Sequence, residues 1–429
     1  MRTRNSPFIL FAIVMVNSII AQPNLQWQKS LGGTEDDFAI SIEQTTDGGY
    51  IAAGWVHSNN EDVVGNHGDG DYWIVKMNIY GEIEWQKTFG GLGNDRPSHL
   101  KPTNDGGYIV AGLSNSNDAD VSGNHGDNDF WILKITETGT IQWQKSLGGT
   151  GDDWGQHIEQ TTDGGYVVAG YSYSDDGDVI GNHGERDYWI VKLDADGSIE
   201  WQKSMGGSDL DGPLCIKQTS DEGFIVAGFT MSNDGDITEN HGGQDAWVVK
   251  LDSNGTIAWQ KAFGGTEHDF ATWIEQTTDG GYVMSGLCLS NDGDVSGNHG
   301  MYDGWIVKLN DSGNIEWQKT IGGTSDDRAN SIKQTVDGTY VIAGWTRSYD
   351  GDVIGQHGEY DIWVVKMDYS GSIQWQMPLG GTEHDMAGTI QQTTEGGYIV
   401  AGHSDSNNGD VSGNHGQNDL CIVKLGIDV

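Results

Sequence analysis

Basic residues are scarce in this chain. Its 429 residues hold 22 Lys and Arg against 63 Asp and Glu, a formal charge of −41. A surface of that sign repels phosphate backbones and anionic lipid, so nucleic acid and membrane-surface partners are excluded. Proline is rare as well, with 6 residues, and the Cys count is an odd 3. Cys215, Cys288 and Cys421 each fall in an apolar strand-like run. They are expected as buried free thiols, and a disulfide framework is excluded. Helical periodicity is missing throughout. So are G-x-S-x-G, H-E-x-x-H and the P-loop, which removes the common hydrolase and nucleotide-binding signatures.

Long apolar runs are missing too, with one exception at the start. Residues 1–21 open with "MRTRN", continue with "FILFAIVMVNSIIA" and end at small Ala21. That pattern reads as a secretory signal peptide cleaved near Ala21–Gln22. No Cys stands near the cleavage point, so no lipid anchor is expected. No later stretch approaches the ~18 apolar residues that a span needs. The mature chain, 22–429, is expected outside the cell or at its surface.

What is abundant is repetition. Trp27, Trp85, Trp143, Trp201, Trp259, Trp317 and Trp375 stand 58 residues apart with no insertion between them. Such a period points to stacked supersecondary units. In the third unit four short strands are expected: "GQHIEQT" (155–161), "GYVVAGYS" (165–172), "DYWIVKLD" (187–194) and "SIEWQKS" (198–204). β-Branched and aromatic residues fill them, and "TDGG" and "DADG" supply the turns. Four antiparallel strands in seven copies predict an all-β fold, a single seven-bladed β-propeller. The mature chain opens with a fourth-strand sequence, "LQWQKSLGG" (25–33), and the last unit ends on a third-strand sequence, "LCIVKL" (420–425). The N-terminal strand is therefore expected to complete the last blade and remove two exposed sheet edges.

The first strands predict a ring. One position reads Glu43, Lys101, Glu159, Lys217, Glu275, Lys333 and then Gln391. Strict alternation cannot close around seven blades, and a neutral residue falls where the mismatch would arise. Each partly exposed pair would contribute ~0–1 kcal/mol.

"WIVKLDADGSIEWQKS" resembles the third-to-fourth-strand hairpin of pyrroloquinoline-quinone-type propellers. The whole unit, "SIEQTTDGGYVVAGYSYS…GNHG…DYWIVKLD…GSIEWQKS", is similar to secreted bacterial propeller-repeat proteins, many of them associated with type IX secretion. That resemblance implies an exported propeller. It brings no catalytic residue, although some members carry glycan-hydrolase labels.

Between the second and third strands runs a polar loop, "SDDGDVIGNHGERD" in the third unit. His67, His125, His183, His241, His299, His357 and His415 share one position, and an Asp follows each four residues later, from Asp71 to Asp419. A further Asp recurs in the loop entering the next blade, from Asp37 to Asp385. Two readings stay open. In one, a neutral His donates a ring N–H to a carboxylate and staples the Gly-rich loop. WD-repeat blades carry a similar His–Ser–Asp–Trp network, whose counterparts here are Ser174, His183, Asp187 and Trp189. In the other, Asp292, Asp294, Asn298 and Asp303 and their equivalents hold Ca²⁺, since oxygen donors follow the EF-hand spacing around Gly297.

A ligand site is expected where the blades differ. The residue after the recurrent Asp reads Phe38, Arg96, Trp154, Gly212, Phe270, Arg328 and Met386; three residues on stand Ser41, His99, His157, Cys215, Trp273, Ser331 and Thr389. Arg96, His99, Trp154, His157, Trp273 and Arg328 are the candidate ligand residues at the channel mouth, with Trp55, Tyr171, Tyr173 and Trp345 nearby. Aromatics mixed with Arg and His suit a sugar or peptide. The expected function is a non-enzymatic binding or adhesion propeller for a glycan or extracellular protein. The alternatives are a polysaccharide-degrading enzyme and a structural envelope protein.

Overall fold

Hydrogen-bonded ladders gather 28 strands into seven four-stranded antiparallel sheets in the computed structural model, which describes residues 22–427. The signal peptide expected over 1–21 lies outside the described residues. Among the described residues no helix is long and apolar enough to cross a membrane. Blade 1 comprises Asp37–Gln44, Tyr50–Val56, Asp71–Met77 and Ile83–Phe89, hydrogen-bonded in that order. The first strand of every blade touches the first strand of the next, around the full circle. These strands therefore line the axis, and the fourth strands lie outermost.

The ring closes as the sequence predicts. Leu25–Leu31 pairs antiparallel with Asp419–Leu425, setting Leu25 opposite Leu425, Gln28 opposite Val423 and Leu31 opposite Leu420. The seventh blade thus takes its outer strand from one end of the chain and three strands from the other.

Each third strand is buried along its whole length, for example Asp71–Met77 and Asp187–Leu193. A blade is covered on both faces by its neighbours, so these strands read as continuous apolar runs rather than alternating ones. Their indoles, from Trp73 to Trp363, are almost wholly buried. Each places its Nε1–H on a Gln of the fourth strand, as Trp73 does on Gln86 Oε1 at 2.7 Å and Trp189 on Gln202 Oε1 at 2.8 Å. Burying such a ring contributes roughly 1.5–3 kcal/mol, and the Gln prevents an orphaned donor. Cys421 holds the equivalent place in the seventh blade, buried, as are Cys215 and Cys288, and all three thiols are free. The fourth-strand Trp packs edge-on against the next blade: Trp27 meets Tyr50 at 5.7 Å and Trp143 meets Tyr166 at 5.7 Å. The turn at Gly81, with φ of 71°, passes so close to Trp27 that a Cβ would come within 2.9 Å of the indole.

The penultimate residue of each third strand, a Lys, snorkels to the opposite face of the ring. Lys76 Nζ reaches Asp47 at 2.8 Å and Glu84 at 2.9 Å. Because the carboxylates are about half exposed, such pairs add little stability.

Two expectations need correction. The first strand of the third blade runs Asp153–Gln160, not from Gly155, so the recurrent Asp is not a loop residue. It opens the inner strand and is fully buried in every blade, as Asp37, Asp95, Asp153, Asp211, Asp269, Asp327 and Asp385 are.

A chain lacking residues 22–31 would leave the sheet edge at Asp419–Leu425 open and the blade interface of Trp27 empty. It is expected to lose its single cooperative thermal transition and to elute as aggregate in size-exclusion chromatography. A truncated chain that melts like the full one would place the closure elsewhere.

Candidate functional site

Every inner strand carries a one-residue bulge. In blade 2 the register skips between Pro97 and His99, in blade 3 between Gly155 and His157, and the other five blades shift at the same place. The extra residues are Ile40, Ser98, Gln156, Leu214, Thr272, Asn330 and Gly388. A bulge leaves its residue outside the ladder and re-aims it. Here all seven line a cavity of about 350 Å³ at the channel mouth. Reading the strands with period two missed this position. The signal was present, since seven dissimilar residues at one point of a near-perfect repeat is the same variability that marked its neighbours.

The floor of the cavity is a plug. His99 and His157 stack with ring centroids 3.7 Å apart, and Trp273 lies across them at 6.0 and 5.3 Å. All three are buried, at 4%, 1% and 8% exposure. They therefore sit one level below the solvent-facing rim, not on it. His99 Nδ1 donates to Ile158 O at 3.0 Å. Among the described residues neither ring nitrogen of His157 has a hydrogen-bond partner, and neither has Trp273 Nε1. Burial, reinforced by neighbouring cations, pushes the pKa of both His far below 6.5, so the stack is neutral.

Beneath the plug lies the expected charge ring. Lys101 pairs with Glu43 and approaches Glu159 at 4.0 Å; Lys217 pairs with Glu159, and Lys333 with Glu275 at 2.9 Å. Gln391 closes the odd place, accepting from Gln44 N at 3.3 Å. Lys217 and Lys333 lie 4.7 and 5.1 Å from the Trp273 ring, so the plug rests on two cations.

The walls are aromatic and cationic. Arg96 is held between Trp55 and Trp154, its guanidinium 5.0 Å from each ring. Trp154 Nε1 donates to Ser98 Oγ at 2.8 Å, which fixes that sandwich. Phe38 stacks on Trp55 at 6.0 Å and meets His403 edge-on at 5.0 Å. On another arc Arg328 stands 4.9 Å over Trp345, which meets Tyr360 edge-on at 4.9 Å. Of the six candidate residues, Arg96, His99, His157 and Trp273 line the cavity directly. Trp154 and Arg328 stand behind that lining, one stacked on Arg96 and the other on Trp345. Tyr171 and Tyr173 pack around Arg186, 4.4 and 6.0 Å away, and Tyr171 joins that group to the sandwich through an edge-on contact with Trp154 at 5.8 Å.

Outside the mouth, the GNHG loops are stapled. His183 Nδ1 and its backbone N–H both donate to Asp187 Oδ2, at 2.7 and 2.8 Å, and the other six blades repeat the pair. The expected four-residue network is split, however. Ser174 Oγ donates to Asp153 Oδ2 at 2.8 Å rather than to Asp187, and Trp189 turns to Gln202. Asp187 instead faces Asp211, the first residue of the next blade. A Cβ on Gly206 would collide with Asp187 Oδ1 and lie 2.8 Å from Asp211 Oδ2, which is why the turn needs glycine there. Among the described residues Asp187 Oδ1 accepts no hydrogen bond, nor does its equivalent in any other blade. Burial raises the pKa of both members of all seven pairs, and the carboxyl facing Asp71 adds to it, bringing Asp71 to about 6.

The Ca²⁺ candidates do not converge. Asp292 accepts from Thr266 N and Oγ1 at 2.8 and 2.9 Å, and Asp294 from Gly264 N at 3.4 Å. Asn298 donates to Cys288 O at 3.0 Å, while Asp303 holds His299. Among the described residues no three His, Cys, Asp or Glu stand close enough to hold a metal ion.

The geometry defines a seven-bladed β-propeller with one blind cavity at the mouth of its axis. No family model matches the chain. A stretch of 196 residues, 42% of this chain, is 25% identical to the regulatory protein FlaEY of Caulobacter vibrioides, of which it covers 20%. This chain thus matches about a fifth of that relative's length. Similar solved structures include Sqt1 from Chaetomium thermophilum, at 10% identity and a TM-score of 0.48, covering 95% of this chain and 100% of that one. The Pan2 WD40 domain of Neurospora crassa, at 10% identity and 0.49, covers 94% and 96%. BamB from Moraxella catarrhalis, at 12% identity and 0.45, covers 94% and 100%. At such identities nothing about ligand or activity passes from them to this chain.

Two outcomes are expected in solution. A carboxyl with a raised pKa takes up its proton more readily in the folded state, so stability rises as pH falls through about 6 toward the ordinary value of 3.8. His99, His157 and His403 oppose this, because burial keeps them neutral while the unfolded chain protonates them below 6.5. Seven carboxyl pairs outnumber three imidazoles. At the acid end, burial works against ionisation of Asp47, but hydrogen bonds from Lys76 and Thr45 hold its pKa down to about 2, so that pair is lost below 3.8. The melting temperature should therefore peak between about pH 4 and 6 and fall toward pH 8; a maximum at pH 7–8 would refute the carboxyl pairing. Melting in excess chelator and in added Ca²⁺ should coincide, and a rise with Ca²⁺ would place the metal on these loops.

Proposed function

We propose that the protein is a secreted, non-enzymatic binding propeller that takes the end of a glycan into the channel mouth. One observation carries this reading: the cavity is open to solvent above, closed below by His99, His157 and Trp273, and walled by Phe38, Arg96 and Trp345. Its volume of about 350 Å³ falls at the small end of ligand sites, roughly 300–1,000 Å³. A blind pocket receives a chain end rather than a segment passing through. Aromatic walls suit the apolar face of a sugar ring, while Ser98, Gln156 and Asn330 of the bulges bring polar groups for its hydroxyls.

The lining favours binding over hydrolysis. Glycoside cleavage generally needs two carboxyl groups about 5–9.5 Å apart at the scissile bond. The lining residues of this cavity include Arg, His, Ser, Thr, Asn and Gln but neither Asp nor Glu. The basic–apolar–small order of residues 1–21 supports the export part of the proposal.

Purified protein on a glycan array is expected to retain a discrete set of structures sharing a terminal sugar. Trp345→Ala and Trp55→Ala should each weaken that binding about tenfold. Retention of no glycan, binding untouched by both substitutions, or reducing-sugar release from a polysaccharide panel would contradict the reading.

A further inference from the structure

The arginines of this chain are placed in a way its overall charge does not explain. With 63 carboxylates to 22 cations, any exposed guanidinium has acidic neighbours to choose from. Yet the four arginines among the described residues, Arg96, Arg186, Arg328 and Arg347, all lie over aromatic rings. None forms an ion pair with a carboxylate among the described residues, whereas lysines such as Lys76, Lys192 and Lys308 each hold two. The difference is one of design: a lysine serves as a point charge, while guanidinium offers a planar fork of five donors.

Arg96 is the clearest case. Its guanidinium is clamped face-on between Trp55 and Trp154, so rotation of the fork is restricted before any ligand arrives. Among the described residues its side chain finds no hydrogen-bond partner, and Nε is buried. Its position lines the cavity, whose lining holds no carboxylate. Arg328, behind the lining on the Trp345 arc, lies over a single ring, again with Nε buried and unpaired among the described residues; Asp326 acts on it only through space. Leaving charged donors unpaired and partly desolvated is costly unless something else satisfies them.

We infer that the channel mouth recognises an anionic terminal sugar, its carboxylate or sulfate group received by the Arg96 fork while the ring lies among the aromatic walls. This rests on the reading of the mouth as a glycan site and adds the class of glycan. Charge-assisted bidentate contacts to a planar carboxylate are the strong, oriented kind. The acidic exterior adds selectivity: a polyanion laid across the surface is repelled, so only an acidic end entering the blind cavity is held.

The test is isothermal titration of the full chain with hyaluronan and galacturonate oligosaccharides, their carboxyl-reduced counterparts, and sulfated and desulfated chondroitin oligosaccharides. The acidic oligosaccharides of at least one pair are expected to bind about tenfold or more tightly than the neutral partner, and more weakly as salt is raised. Arg96→Gln should bring the two members of the pair to within about twofold, with Arg96→Lys, which keeps the charge and loses the fork, as a second variant should the first fail to fold. A preference for the carboxylate pairs or for the sulfate pair identifies which anion the fork receives. Equal or tighter binding of the neutral partners overturns the inference while the glycan reading stands. Binding of no sugar, or of acidic peptides alone, overturns both.

Discussion

The structure depends on one backbone ladder, that between Leu25–Leu31 and Asp419–Leu425. Every other blade is made of consecutive strands and could form locally. The seventh cannot, and without it the inner strands would not form a ring. Closure makes one surface of seven inner strands, so residues 58 positions apart become neighbours around an axis. His99 and His157, separated by one full repeat, stack because of it, and Trp273 reaches them from two blades further on.

Given the ring, the rest divides into repeated and unrepeated parts. The repeated parts answer to packing: a third strand buried on both faces, an indole whose N–H is met by Gln, and a Gly-Gly turn squeezed against two carboxyl groups. The unrepeated parts gather at one place, the bulge and the residues beside it. A scaffold this regular has no structural need for Arg96 in one blade, Gly212 in another and Met386 in a third. Under the proposed function, their divergence at the cavity mouth lets a single ligand meet a different side chain from each blade.

Much of this was legible in the sequence, and the reasons are physical. The blade count and the closure were readable because no insertion interrupts the 58-residue period. The charge ring was readable because its alternation breaks at Gln391, where seven blades must break it. The bulge was not, since a period-two reading assigns each residue to a face and cannot see an extra one. Nor was the partner of Ser174: two buried carboxyl groups lie close to the same loop, and only the fold puts its hydroxyl on Asp153 instead of Asp187. The carboxyl pairs escaped notice because their members belong to different blades, as Asp187 and Asp211 do, 24 residues apart in sequence.

Amide hydrogen exchange of the segment Leu25–Leu31 tests the closed ring most directly. The account predicts protection of its ladder amides comparable with that of Asp419–Leu425, both lost together on global unfolding. Exchange of Leu25–Leu31 at the rate of free chain, with Asp419–Leu425 still protected, would contradict it, and the shared mouth would have no ring to stand on.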